Sequence, residues 1–421
     1  MLIDAKLLVN SPEIIQGLIS GDMVRYGSVI RWAKGVGPHP GSVVKNLIET
    51  PGIANQLIGL PLSPIGGSID VIGHTMTYHK LLGIDKKLIG MNQTLSQVMN
   101  LSQIAAGASF LNLGVSIVGF AYMAYKLNQM QKSITVLQQT VEKGFDDVNR
   151  RLDKMSQQLG YICLVVQDSR AKQEKLAQAI AHLYQSSLIR EISELQAELQ
   201  NLNRFPDESP IVAIKTASRI RLFLSHEALK ITPELEAELM LNSDIAIQGW
   251  AVSTITEANL LMEMGRYQDA KYILGEEVVK FKQLSENWSK ALLDDGHDSL
   301  NTSYRFVGKP FNEFILPERV ERICQIYPKD FNLSSEQVRR IKNEIDVEFD
   351  MSYAPERYNQ AWVNKQLAIA EYLDTLSELL ARLDTLQDFA SLCENRGVKS
   401  SKEILPSQDV KPGLYLLDGV T

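Results

Sequence analysis

From Leu88 to Tyr125 the chain carries no Asp, Glu, Lys or Arg, and no other feature restricts its fold as much. The apolar core of this stretch, Ile104 to Tyr125, is 22 residues long. As a helix rising about 1.5 Å per residue, that length covers roughly the 30 Å hydrocarbon layer of a bilayer. Lys86 and Lys87 bound it on one side, Lys126 and Lys132 on the other, and Tyr122 and Tyr125 lie near one end, where interfacial aromatics are expected. Lysine on both flanks leaves the orientation undecided. A core helix of a soluble bundle would share the length and the lack of charge. Asn112 and several glycines keep the hydropathy modest, so both readings stay open.

The arrangement inside the stretch is more informative. Ala105, Ser109, Asn112, Ser116 and Gly119 recur at alternating spacings of four and three, forming one small, mildly polar stripe, while Phe110, Leu113, Ile117, Phe120 and Ala121 occupy much of the rest of the surface. In a membrane such a stripe faces sister helices or an aqueous lumen, so these five residues are the candidate pore-lining or helix-contact positions. Downstream, Met130, Ile134, Leu137 and Val141 alternate in the same way. After a one-residue slip at Gly144, so do Phe145, Val148, Leu152, Met155, Leu159, Ile162 and Val166. A seam sustained for about five heptads predicts a coiled coil. Single spans cannot enclose a pore alone, so the seam would hold several chains parallel around one axis. A homo-oligomer follows, with a tetramer as one candidate stoichiometry. An antiparallel hairpin within one bundle is the competing arrangement.

The flanks divide the chain. Residues 1–87 are rich in Gly and Pro and contain the short β-rich runs "MVRYGSVIRW" (23–32) and "SVVKNLI" (42–48), which predict a small α+β domain. Read as one strand, the first run puts Val24, Tyr26, Ser28, Ile30 and Trp32 on one face and Arg25 and Arg31 on the other. The plain expectation is a solvated strand face. The sharper one makes Arg25 and Arg31, with Lys34 or Lys45 nearby, an anion or nucleotide contact, because guanidinium forks suit phosphates. Residues 88–126 form the hydrophobic, candidate transmembrane helix, 127–202 a long helix or coiled coil, and 203–396 an α-helical domain. Within that domain "WAVSTITEANLLMEMGRYQDAKYIL" (250–274) resembles one tetratricopeptide-type helix pair, without a second copy at a fixed period. Residues 296–317 read as a long loop. A last amphipathic helix begins near Pro355 and uses Trp362, Leu367, Tyr372, Leu376, Leu380, Leu383, Leu386 and Phe389. Residues 397–421 form a polar tail with a short terminal strand at "LYLLD". The fold class is therefore mainly α, with a small β-containing domain at the N-terminal end.

Composition narrows the function. The chain of 421 residues is 45% hydrophobic and 22% charged, as folded proteins are. A net charge of −7 excludes bulk, nonspecific nucleic-acid binding, which needs a basic field. Cys163, Cys324 and Cys393 are odd in number and far apart, which predicts reduced core thiols rather than a disulfide framework or a metal site. The opening "MLIDAKLLVNSPEIIQG" lacks a basic region followed by an apolar run, so no secretion signal is expected. No phosphate loop, nucleophile elbow, zinc-protease pattern or paired cysteine motif occurs, and the six histidines are scattered. No enzyme activity, cofactor or metal is expected.

The blocks "SGDMVRYGSVIRWAKGVG" (20–37) and "GASFLNLGVSIVGFAYMAYKLNQMQKSI" (107–134) resemble bacterial proteins that couple a small N-terminal domain to one hydrophobic helix and a coiled coil. The organisation of about the first 170 residues is similar to that of the transmembrane effectors of antiphage systems of the Hailong type. The resemblance implies an inner-membrane channel with cytoplasmic soluble domains. It also implies closure by a short single-stranded oligonucleotide made by a partner nucleotidyltransferase, with membrane lipid and sister subunits as the other partners. No ligand-contacting residue of that family maps onto a position here. Two alternatives remain: a soluble pore-forming, toxin-like protein that inserts on triggering, and a cytosolic coiled-coil scaffold.

Overall fold

The computed structural model describes residues 11–33, 37, 39–49, 178, 187–205, 208–294, 298–312, 314–315, 317–351, 358–405 and 414–418. The stripe Ala105, Ser109, Asn112, Ser116 and Gly119, the seam from Met130 to Val166, Lys34 and Cys163 lie outside these residues. Among the described residues no helix is long and apolar enough to cross a membrane.

The described chain is mainly helical, with one small antiparallel sheet. In order it runs α1 (Pro12–Ser20), β1 (Met23–Tyr26), β2 (Val29–Trp32), β3 (Val43–Glu49), α2 (Ser187–Arg204), α3 (Ile211–Lys230), α4 (Ala237–Glu263) and α5 (Tyr267–Leu293). Two short 3-10 turns (Asp298–Leu300 and Ser303–Val307) follow, then α6 (Pro317–Cys324), α7 (Ser335–Met351), α8 (Gln360–Asn395), a 3-10 turn at Ser401–Glu403 and β4 (Leu414–Asp418). Helix α1 lies in a stretch that the Gly and Pro content assigns to turns and strands. Pro12 in its first turn and Gly21 in the left-handed region after its end are start and stop signals that fit a helix.

The run 23–32 is a hairpin rather than one strand. The chain reverses at Gly27–Ser28, pairing Tyr26 with Val29 and Met23 with Trp32. Gly27 adopts φ +53, a conformation that side-chain-bearing residues avoid. The single-face alternation expected of 23–32 fails for this reason: Val24 is exposed while Ile30 is fully buried. Strand β3 follows antiparallel to β2, and the terminal strand β4 pairs with β3, setting Leu47 opposite Leu416. The sheet order is β1-β2-β3-β4, so the two ends of the chain meet in one sheet.

Helix α4 is the axis of the helical body. It is buried along nearly its whole length and all round, as expected of a helix surrounded by others. Its neighbours are α3, α5 and α8. Among its polar side chains, Ser253, Thr254 and Thr256 donate to carbonyls three or four residues back, while Glu257 and Ser243 are met by Arg221 of α3 and Tyr372 of α8. Trp250 packs on Phe281 of α5, and Trp288 of α5 packs on Tyr372 of α8. The expected helix pair at 250–274 is the α4–α5 junction, where Gly265 at φ +72 turns the chain. The expected loop at 296–317 holds the two 3-10 turns, with Tyr304, Arg305, Phe306 and Phe311 buried. Arg305 donates to the carbonyls of Leu292 and Leu293, closing the C-terminal end of α5. Leu195 of α2 is fully buried in the same core as α3 and α4, so the last helix before Phe205 packs on its own chain. Cys324 and Cys393 are buried free thiols.

The hairpin turn seats directly on α8. A methyl group on Gly27 would drive into the Ala381 carbonyl oxygen as well as straining the backbone. Gly27→Ala is therefore expected to lower the free energy of opening of the sheet by about 1–3 kcal/mol. Amide exchange in residues 23–32 should accelerate while α4 is unaffected; unchanged exchange would refute this placement of the turn.

Candidate functional site

One face of α8 carries Glu371, Asp374, Glu378, Arg382, Thr385 and Asp388, spaced three or four residues apart along an otherwise leucine-rich helix. A helix buried on its leucine faces can bring such residues inside only if partners meet them. The partners come from two directions. From α6, Arg319 donates to Asp374 at 2.7 Å and Glu371 at 2.5 Å, and Arg322 donates to both oxygens of Asp374 at 2.7 and 2.8 Å. From the sheet, Arg25 forms a two-pronged pair with Glu378 at 2.9 and 2.8 Å, and both side chains are only 4% exposed. Glu378 also accepts from Arg382 Nε at 2.8 Å, and Arg322 Nε lies 3.8 Å away.

The hairpin turn completes the junction. Arg25 donates to the Gly27 carbonyl at 2.7 Å, which braces the guanidinium against its own turn. The Ser28 N–H donates to Thr385 Oγ1 at 3.1 Å, and the two hydroxyls lie 3.0 Å apart. Further along α8, Arg31 reaches Asp388 at 2.9 Å and Asp384 at 3.8 Å, and its guanidinium stacks on the Tyr26 ring. Met23, Ile30 and Leu47 join the main apolar core beneath.

Electrostatics follow the same geometry. Burial opposes the charge on Glu378, but Arg25, Arg382 and Arg322 outweigh it and hold the carboxyl far below the usual range. Burial likewise opposes the charge on Asp374, and Arg322 and Arg319 hold it low. Asp384 moves the other way: burial first, then the charge of Asp388, raise it against the pull of Arg31.

Of the four residues expected to contact an anion, Lys34 lies outside the described residues and the other three are placed as follows. Arg25 is buried, which corrects the expectation of a solvated strand face, and both Arg25 and Arg31 are engaged by α8 carboxylates. Those carboxylates, Glu378 and Asp388, are ten residues apart on the helix, roughly 15 Å at 1.5 Å per residue. Each guanidinium is committed to its own carboxylates, Arg25 to Glu378 and Arg31 to Asp388 and Asp384. Lys45 sits on β3 opposite Ile30 and Asp418. Sequence reasoning missed Asp374, Glu378 and Arg382, although charged residues recurring at helical spacing among leucines were a usable signal. Arg319 and Arg322, 52 or more residues away from Asp374, gave none. Among the described residues no group of His, Cys, Asp and Glu could hold a metal ion. No protein-family model, curated protein or solved structure matches the chain.

Chemically, the arrangement can hold or release a sheet; among the described residues it offers no nucleophile poised against a base. Removing Glu378 leaves three guanidiniums short of their shared carboxylate, so Glu378→Gln is expected to destabilise the full-length protein by about 3–5 kcal/mol. Asp388→Asn, at a partly exposed pair in which Arg31 keeps Asp384, is expected to cost at most about 1 kcal/mol. Equal effects in urea unfolding would overturn this ranking. Carboxyls held below their unfolded values contribute stability that is present above those unfolded values and is lost as pH falls through the depressed ones. Amide protection at the Arg25–Ser28 turn, which Glu378 holds, should accordingly persist between pH 7 and about 4. A transition centred at the ordinary carboxylate pKa would contradict the network.

Proposed function

We propose that the chain is the subunit of an oligomeric, non-enzymatic membrane channel that acts as an effector in bacterial antiphage defence, with its soluble parts gating the conduit. The observation that carries this reading is the charge-free stretch from Leu88 to Tyr125, long enough for one span and bearing a stripe of small and mildly polar residues on one side. Ala105, Ser109, Asn112, Ser116 and Gly119 line the conduit or the helix contacts in this reading. The seam from Met130 to Val166 supplies the subunit association that a single span lacks.

The position of the stretch in the chain supports a gated conduit. It lies between β3, which ends at Glu49, and α2, which begins at Ser187. Sheet and helical body are tied to one another through α8. A change in how the sheet sits on α8 would therefore be felt at the start of the chain that leads to the span. The resemblance to Hailong-type effectors adds the inner membrane as location, sister subunits and lipid as partners, and an inhibitory single-stranded oligonucleotide as the closing signal.

Reconstituted into liposomes, the full-length protein should release a trapped ion indicator. Gly119→Leu, which thickens the slim side of the helix, should cut release about tenfold or more while the circular dichroism of the helical body is unchanged. Recovery of all protein in the detergent-free soluble fraction, with no release under any condition, would remove the channel reading.

A further inference from the structure

We propose that the terminal sheet is a reversible latch on α8, closed by Arg25 on Glu378 and by the Gly27–Ser28 turn on Ala381 and Thr385, and that its release opens the conduit. The gating half of this inference rests on the channel reading above; the latch itself rests on the geometry alone.

The charge arrangement makes release reversible. A lone buried pair leaves an uncompensated carboxylate when its cation departs, which is strongly unfavourable. Glu378 is not in that position. When Arg25 withdraws, Arg382 remains at 2.8 Å and Arg322 at 3.8 Å. Among the described residues, the α6–α8 network then holds Arg319, Arg322 and Arg382 against Glu371, Asp374 and Glu378, three charges of each sign. Arg25 leaves with its own turn, whose carbonyl it already holds, and regains water. The contact at Arg31 is partly exposed and loosens at little electrostatic cost. What favours the closed state is the Arg25–Glu378 pair together with the apolar seat of Met23, Ile30 and Leu47.

The sheet is also a unit that can move as one piece. Its four strands are hydrogen-bonded to one another from β1 through to β4. Among the described residues the junction with α8 is made by side-chain contacts and the Ser28 N–H, with no strand or helix running across it. Such a boundary is where sub-global opening occurs in proteins, with the open form a minor population of about 0.1–10%. Since β3 is the last described strand before the sequence runs to the charge-free stretch, sheet displacement is delivered at Glu49.

Ser28 and Thr385 give a direct test, because their side-chain oxygens are 3.0 Å apart. The full-length Ser28→Cys/Thr385→Cys protein is reconstituted into liposomes, oxidised, and compared with the same vesicles after dithiothreitol. The latch predicts that oxidation cuts indicator release about tenfold or more and slows amide exchange in residues 23–32 and 43–49 by a similar factor, with α4 unchanged and both effects undone by reduction. Arg25→Met, which removes the fork and keeps an apolar stem, should do the reverse, raising release and sheet exchange about tenfold. Equal release from oxidised and reduced vesicles would overturn the gating role. Sheet amides that exchange no faster than those of α4 in the reduced protein would overturn the latch. No release from the wild-type protein under any condition would overturn the channel reading and the gating role with it, while the exchange data still decide the latch.

Discussion

A carboxylate removed from water has to be met by positive charge, and helix α8 brings Glu371, Asp374 and Glu378 into or against the protein interior on one side of a leucine-rich cylinder. The rest of the structure is arranged around that requirement. Helix α6 supplies Arg319 and Arg322 to the first half of the stripe, and the terminal sheet supplies Arg25 and then Arg31 to the second. Pairing sets which elements can lie beside α8, because each guanidinium must reach one carboxylate or two neighbouring ones along the helix. Leucine packing gives the helical body its stability, and the ionic stripe gives it a defined partner on the remaining face.

The same logic recurs between α3, α4 and α5. Arg221 joins Glu257 and Glu277 at 2.7 Å, and Trp250 Nε1 donates to the second oxygen of Glu277 at 2.5 Å. That cluster locks three helices of one body together. The α8 cluster differs in joining elements from opposite ends of the chain, with Arg25 and Glu378 separated by 353 positions. It also carries more cationic than anionic side chains around Glu378. Lys280 also donates to Glu277 at 2.9 Å, so the first cluster pairs two cations with two carboxylates, while the α8 cluster keeps Arg382 and Arg322 near Glu378 without Arg25.

Much of the fold could be read from residue order. The helix pair at 250–274, the long leucine-rich helix that became α8 and the terminal strand at 414–418 follow from periodicity and turn chemistry, which are local. Helix α1 was legible too, from Pro12 and Gly21, but the surrounding Gly and Pro content pointed to turns. The hairpin in 23–32 hinged on Gly27, whose positive φ turned an apparent alternation of ten residues into two strands of four. What local pattern could not supply was partnership: nothing near Arg25 in sequence announces Glu378. An arginine on a strand reads as solvated or as a ligand contact until a distant helix is seen to face it. The pairing of β4 with β3 is non-local in the same way, and it turns a polar tail into the closing strand of the sheet.

The central claim is that Arg25 and Glu378 hold the sheet on α8 through a mutual, desolvated interaction. A double-mutant cycle in the full-length protein measures that term directly, combining Arg25→Met and Glu378→Gln and following urea unfolding of each. The account predicts a coupling of about 1–3 kcal/mol, because once either partner is gone the other has less left to lose. Additive effects, with a coupling within about 0.5 kcal/mol of zero, would contradict it.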